Sequence, residues 1–313
     1  MLASVPWFVG HPGAQHSAES ARMLAYMASG GREGVVTPTD MRVLPLATAG
    51  AGVRVMPGAV AVLNRAAGQQ TYIGRVVESE TVSVAATGSA GGRTDLVCAI
   101  IRDPSQAGGG SPPADPVFGP YWEIVVVSCV PAGATKLQSV SGYANTTGYA
   151  LARISLPANT GTVTSAHITD LRSLVSARKD RSLRVVSSVS RSVNTSSYTH
   201  VLPTPYPSFS VPDWATHANV VVTSTLAQQG GNTNGWWRLG FGGQTLSGRW
   251  NLTDAPDKSF SPLVSAGEFA LQSSVRGTNQ NLTLELNRSA GPGWVQLLAD
   301  GEFVVDVEFV ERV

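Results

Sequence analysis

WVQLLADGEFVVDVEFVE, residues 294–311, runs on a period of two: Phe303, Val305, Val307 and Phe309 fall on one side of an extended chain. Asp300-Gly301 sits between its two apolar runs, the pattern of a tight hairpin. The same period recurs upstream in SLRVVSSVSRSV, NVVVTSTLA, GWWRLGFG, QTLSGRWNL, GEFALQSSVR and NLTLELNRS, where Leu282, Leu284 and Leu286 share a face. About eight antiparallel strands in roughly 130 residues predict a jelly-roll-like β-sandwich over residues 186–313.

Residues 1–160 read as a second, mixed domain, mainly β with one N-terminal helix. HSAESARMLAYMASGG predicts that helix, with Ser17 as its cap, Glu19 in its first turn and Gly30 or Gly31 as its left-handed stop. Ala21, Leu24, Ala25 and Ala28 form its apolar face, with Met23 and Met27 beside it. GVRVMPGAVAVLN, TYIGRVVESETVSVAAT and GYALARISLP then follow the strand period. DLVCAII and WEIVVVSCV lack alternation and are expected as central strands, with Cys98 and Cys129 as small buried thiols.

Between the two halves lies LPANTGTVTSAHITDLRSL, residues 156–174. Ile168, Leu171 and Val175 recur at helical spacing, so residues 161–185 are expected to form a short linker helix whose apolar seam brings three copies together. Two turns are too short to hold a trimer, since isolated helices need ~12–15 residues to be marginal in water. The other reading packs this helix on its own N-terminal domain.

Composition narrows the function. The chain has 313 residues, 42% hydrophobic and only 14% charged, against about 25% charged for an average soluble domain. Its net charge of +1 supplies no counterion-release term for nucleic acid and no attraction to anionic lipid. No apolar run approaches ~18 residues, so no membrane span is expected. The N-terminal stretch MLASVPWFVGHPG lacks a basic n-region and is not expected to be a signal peptide.

Catalytic signatures are missing: no GxSxG, P-loop or GxGxxG motif is present. The local carboxylate candidates for a glycosidase are Asp254 with Asp257 and Asp95 with Asp103. Asp254 and Asp257 read first as turn formers and second as ligands that could hold Ca²⁺ together with backbone carbonyls. His167 and Asp170 stand three apart, which is too few groups for a zinc site, and no cofactor is expected.

PWFVGHPGAQHSAESARMLAYMASGGREGVVTPTDMRV, TYIGRVV, GGRTDLVCAIIRDP, LARISLPANTGTVTSAHITDLR and VPDWATHANVVVTSTLA resemble, in this order, the minor tail proteins of siphophages and prophages of actinobacteria. Arg outnumbers Lys nineteen to three, which fits a high-GC genome. The resemblance implies a virion protein of the distal tail or baseplate, synthesised in the bacterial cytoplasm, with other tail proteins as partners and a homotrimeric state suggested by tail symmetry. It brings no catalytic residues.

Binding has a clearer candidate. Five of the seven Trp lie in the C-terminal half, and adjacent Trp236 and Trp237 must point to opposite faces of a strand. The outward ring can stack on a sugar while Asn232 and Asn234 of the preceding loop hydrogen-bond its hydroxyls. The competing explanation covers that ring with a neighbouring subunit. The sandwich therefore either recognises host cell-surface glycan or decorates the tip. The alternatives are a tail-associated polysaccharide depolymerase, which predicts an internal repeat that is not visible, and a stand-alone carbohydrate-binding module.

Overall fold

The computed structural model describes residues 17–106, 109–117, 119–252 and 259–313. The chain is mainly β and divides into two units, Met1–Ser176 with Val313, and Ala177–Arg312.

The first unit opens with α1 (Ala18–Ala28), the one α-helix among the described residues. The Ser17 hydroxyl accepts the Ser20 N–H at 3.1 Å, and Gly30 and Gly31 end the helix at φ +59° and +70°. The expected apolar face is not the buried one. Met23, Leu24 and Met27 are exposed, Met27 at 75%, while Ser20 and Ser29 are buried. Polar contacts dock the helix instead. Arg22 lies 5.1 Å from the centroid of the Tyr72 ring, donates to Gln70 at 2.6 Å and stands 3.5 Å from Asp103.

The strands of this unit are β1 (Gly34–Val35), β2 (Val43–Pro45), β3 (Gly52–Val55), β4 (Gly58–Leu63) and β5 (Thr71–Val76), followed by β6 (Glu80–Ser83), β7 (Arg93–Ile101), β8 (Trp122–Val127), β9 (Gly148–Leu156) and β10 (Ile168–Asp170). They form three antiparallel sheets, β1-β4-β5, β2-β3-β6 and β10-β9-β7-β8. Strand β7 reads as an unbroken apolar run because both of its faces are buried. Val97, Ala99 and Ile101 enter one core, and Leu96, Cys98 and Ile100 enter another, capped by Val130, Ala134, Leu137 and Val140. WEIVVV, expected as central, is an edge strand. It lacks alternation because Ile124 and Val126 pack into the first core and Val125 and Val127 into the second. Cys129 is a second correction: it lies past the end of β8 at φ +61°, exposed, while Cys98 is buried.

No linker helix forms over residues 161–185. Ser165–His167 makes a single 3-10 turn, and Ile168–Asp170 pairs antiparallel with Ala152–Ile154 of β9. The open edge of β9 offers a full row of backbone partners, and β-branched Ile168 and Thr169 suit it. A two-turn helix has no comparable gain. Arg172 then pins the chain, donating to Asp170 at 2.7 Å and to the carbonyls of Pro38, at 3.0 Å, and Asp40. The trimer seam is dismantled with the helix. Ile168 packs on the first core, Leu171 packs on the second, and the Val175 N–H donates to Val35 at 2.9 Å.

The second unit comprises β11 (Lys179–Ser187), β12 (Arg191–Val193), β13 (Thr199–His200), β14 (Ser208–Ser210), β15 (His217–Gly230) and β16 (Thr233–Phe241). It continues with β17 (Gln244–Leu252), β18 (Ser259–Ala270), β19 (Asn279–Asn281), β20 (Thr283–Ala290), β21 (Trp294–Leu297) and β22 (Glu302–Val310). In its first sheet the long β15 pairs with β18 on one side and with β21 and β22 in succession on the other. Strands β12 and β11 pair outside β21 and β22. The second sheet runs β13-β20-β16-β17, and β14 pairs with β19. Val220, Val222, Phe303, Val305, Val307 and Phe309 of the first sheet meet Leu239, Phe241, Leu284 and Leu286 of the second in one core. This is a jelly-roll-like β-sandwich.

Asp300-Gly301 does not turn a hairpin. Strands β21 and β22 run in the same direction along β15, and the residues between them form a tight excursion that closes with Gly301 N–H donating to Leu298 at 3.1 Å. The excursion falls where β15 passes from Ser224, paired with β22, to Ala227, paired with β21, and where β15 also shifts register against β18.

Candidate functional site

The β16–β17 hairpin builds the candidate face. Gly242 and Gly243 both take positive φ, +59° and +76°, as a two-residue primed turn requires. The turn sets Phe241 opposite Gln244 and, by register, Trp236 opposite Arg249 and Trp237 opposite Gly248. Odd-numbered residues of β16 face the core: Leu239 and Phe241 are buried, and Trp237 packs against the same cluster.

Trp236 and Trp237 therefore separate. The Trp237 ring lies across Gly248, where any Cβ would overlap it. Trp250 lies the same way across Gly235, with its Cζ2 2.6 Å from where a Cβ would stand. Each ring takes the space left by an absent side chain on the neighbouring strand. The Trp250 indole N–H donates to the Trp236 carbonyl at 3.3 Å.

Trp236 is on the outer face, half-buried. Its backbone N–H donates to Asn287 Oδ1 at 2.8 Å, and the Arg249 guanidinium lies over its ring, 4.6 Å from the centroid. Two residues along, Arg238 lies 3.7 Å from the centroid of the Tyr198 ring. Asn234 shares this face, its Oδ1 accepting the Ser289 hydroxyl at 2.7 Å. Asn232 stands apart in the turn before β16, its carbonyl accepting the Gly293 N–H at 3.1 Å. Of the four expected contact residues, the structure brings Asn234 and Trp236 to one surface, turns Trp237 to the other face, where it packs partly buried against the core, and leaves Asn232 at the rim.

Arg238, Arg249 and Tyr198 are site residues the sequence analysis missed. The signal was Gly242-Gly243: read as a two-residue turn, it fixes the register that sets Arg249 against Trp236.

The other candidates do not assemble. Asp95 lies near the start of β7 and Asp103 two residues past its end, separated by a strand segment of roughly 20 Å. Asp95 accepts Arg93 Nε at 2.9 Å and the Cys129 N–H at 3.0 Å. Asp103 accepts the Tyr72 hydroxyl at 2.7 Å and the Ser105 hydroxyl at 2.6 Å. Burial opposes ionisation of Asp103, but the bonds from Ser105 and Tyr72 and the charge of Arg22 outweigh it and hold its carboxyl below the ordinary range. Tyr72 is pushed up by burial and by the same bond. His167 Nδ1 accepts the Thr164 N–H at 3.3 Å and Asp170 is taken by Arg172. Among the described residues, no group of three or more His, Cys, Asp or Glu is placed to hold a metal. Asp254 and Asp257 lie outside the described residues. No helix among those described is long and apolar enough to cross a membrane.

No family model matches the chain, and no curated protein matches it. Solved structures similar to it include T=1 particles derived from infectious bursal virus, at 12% identity over 90% of this chain and 72% of that one, with a TM-score of 0.27. TmCBM61 in complex with β-1,4-galactotriose is similar at 12% identity over 44% of this chain and 88% of that one, with a TM-score of 0.21. BuGH86 in complex with neoagarooctaose is similar at 7% identity over 83% and 32%, again with a TM-score of 0.21. At scores this low none of these likenesses bears on function.

Proposed function

We propose that the chain is a non-enzymatic structural protein of a phage tail tip or baseplate, of the kind found in siphophages of actinobacteria. Its first unit attaches to other tail proteins, and its sandwich contacts host cell-surface glycan. The tail assignment is supported by the ordered motifs between residues 6 and 227; the glycan assignment is supported by one observation. The outer face of β16 and β17 presents the half-buried ring of Trp236, with the Arg249 guanidinium over part of it, among the hydrogen-bonding groups of Asn234, Ser247, Asn251 and Ser289. A pyranose offers the matching pair of surfaces, an apolar ring face and a hydroxyl rim. Threefold assembly enters this reading from tail symmetry alone.

The test is co-sedimentation of the full-length protein with purified envelopes from a panel of actinobacteria. Binding to a subset of envelopes, reduced at least tenfold by Trp236→Ala in protein that keeps its melting temperature, is the expected result. Binding that Trp236→Ala leaves unchanged overturns the glycan assignment. Absence of the protein from purified virions overturns the tail assignment.

A further inference from the structure

The outer face of the β13-β20-β16-β17 sheet carries two guanidinium groups that make no hydrogen bond to another described residue. Arg249 lies over Trp236 and Arg238 over Tyr198, and neither stands within ion-pair distance of a carboxylate among the described residues. The acid that faces Arg238 in register is Glu285, and its carboxylate is committed to His200 Nε2 at 3.0 Å. The third arginine of this sheet, Arg288, behaves differently and donates to the Gly293 carbonyl at 3.0 Å. On the opposite sheet Arg181 pairs with Asp306 at 2.5 Å, and Arg184, which also lies over an aromatic ring, donates to the Ser208 carbonyl at 2.8 Å.

A guanidinium packed over an aromatic ring is held by that ring and keeps N–H groups that can still donate. Those groups match two oxygens of a carboxylate or phosphate group, and a charge-assisted bond of this kind is about twice as strong as one to a neutral hydroxyl. By register, Arg238 and Arg249 sit diagonally, two residues along and one strand across, about 8 Å apart at their α-carbons. Two such donors on one face, each over its own ring, suit successive charged groups of a polymer.

We propose that the ligand of this face is an anionic glycan, its carboxylate or phosphate oxygens seated on Arg238 and Arg249 while a sugar ring packs beside Trp236. The proposal rests on the glycan reading above and narrows it to charged polymers.

Titration calorimetry of the full-length protein tests it with three probes: polygalacturonate, a poly(glycerol phosphate), and a neutral galactan. Each is measured at low and at about 0.3 M salt, where surface charge interactions are strongly screened. The expected result is at least tenfold tighter binding to one of the anionic polymers than to the galactan, lost at high salt. In the double variant Arg238→Gln/Arg249→Gln that preference disappears, and the melting temperature is kept. Which anionic polymer binds distinguishes a carboxylate from a phosphate source. Equal binding to galactan, insensitive to salt and to the double variant, overturns the inference and leaves the glycan reading standing. No binding to any of the three, together with no envelope binding, removes both.

Discussion

Arg178 and Glu311 hold each other through both side chain and backbone. Arg178 Nη2 and Nε donate to the Glu311 carboxylate at 2.6 and 2.9 Å, and the Glu311 N–H donates back to the Arg178 carbonyl at 3.1 Å. The pair extends the β11–β22 ladder by one step and joins the beginning of the second unit to its end. Glu311 is buried, its side chain 1% exposed, while Arg178 remains half in water, 5.2 Å from the centroid of the Trp214 ring.

This pairing makes the second unit acid-sensitive. The bonds from Arg178 hold the Glu311 carboxyl below its ordinary range, and those from Arg181 do the same for Asp306. A carboxyl with a lowered folded pKa adds stability that is fully present above its unfolded value, about 4.3 for Glu and 3.9 for Asp, and is lost as pH falls through the folded value. Thermal melts from pH 6 to pH 3 should show the loss beginning near pH 4. Glu311→Gln should cost about 1–3 kcal/mol at pH 7 and flatten the slope.

The two adjacent tryptophans should differ in kind. Trp237→Ala removes a ring that packs against the core and should cost about 3–5 kcal/mol. Gly248→Ala, which forces a methyl into that same ring, should cost about 1–3 kcal/mol. Trp236→Ala loses chiefly the Arg249 contact and should change stability by about 1 kcal/mol or less. Denaturant titration of the three variants measures all of these.

The thiols should be equally distinct. Burial pushes Cys98 up to about 12, whereas Cys129 is exposed. A thiol reagent at pH 8 should label one cysteine quickly in folded protein, and the second only after unfolding. Peptide mapping of the labelled sites should place the first at Cys129.

Leu171 offers a check on the dismantled seam. Because it packs into its own unit, Leu171→Ala should lower the melting temperature through loss of about 2–5 kcal/mol. It should not change the solution mass, whether that mass is 32.6 kDa or three times this value. A variant that melts normally yet shifts the mass would restore the seam.

Much of the fold was legible because its signals are local. The cap at Ser17, the glycine stop after α1 and the alternation of Phe303, Val305, Val307 and Phe309 each lie within a few residues. The errors share a cause in partners distant along the chain. Ile168, Leu171 and Val175 have helical spacing, but the vacant edge of β9 decides their conformation. Asp300-Gly301 looks like a hairpin until β15 is seen to pair with both neighbouring strands. Trp236 was visible as one of two alternatives, and only the register of β16 selected it over Trp237. Arg238 and Arg249 became candidates only when that register brought them onto the face of Trp236.

Hydroxyl-radical footprinting of the full-length protein, with and without fragments of a host envelope it binds, tests the central claim most directly. The account predicts protection at Trp236 and at Tyr198, with no change at Trp122 in the first unit. Bound protein in which Trp236 and Tyr198 remain as reactive as in the free protein would contradict it.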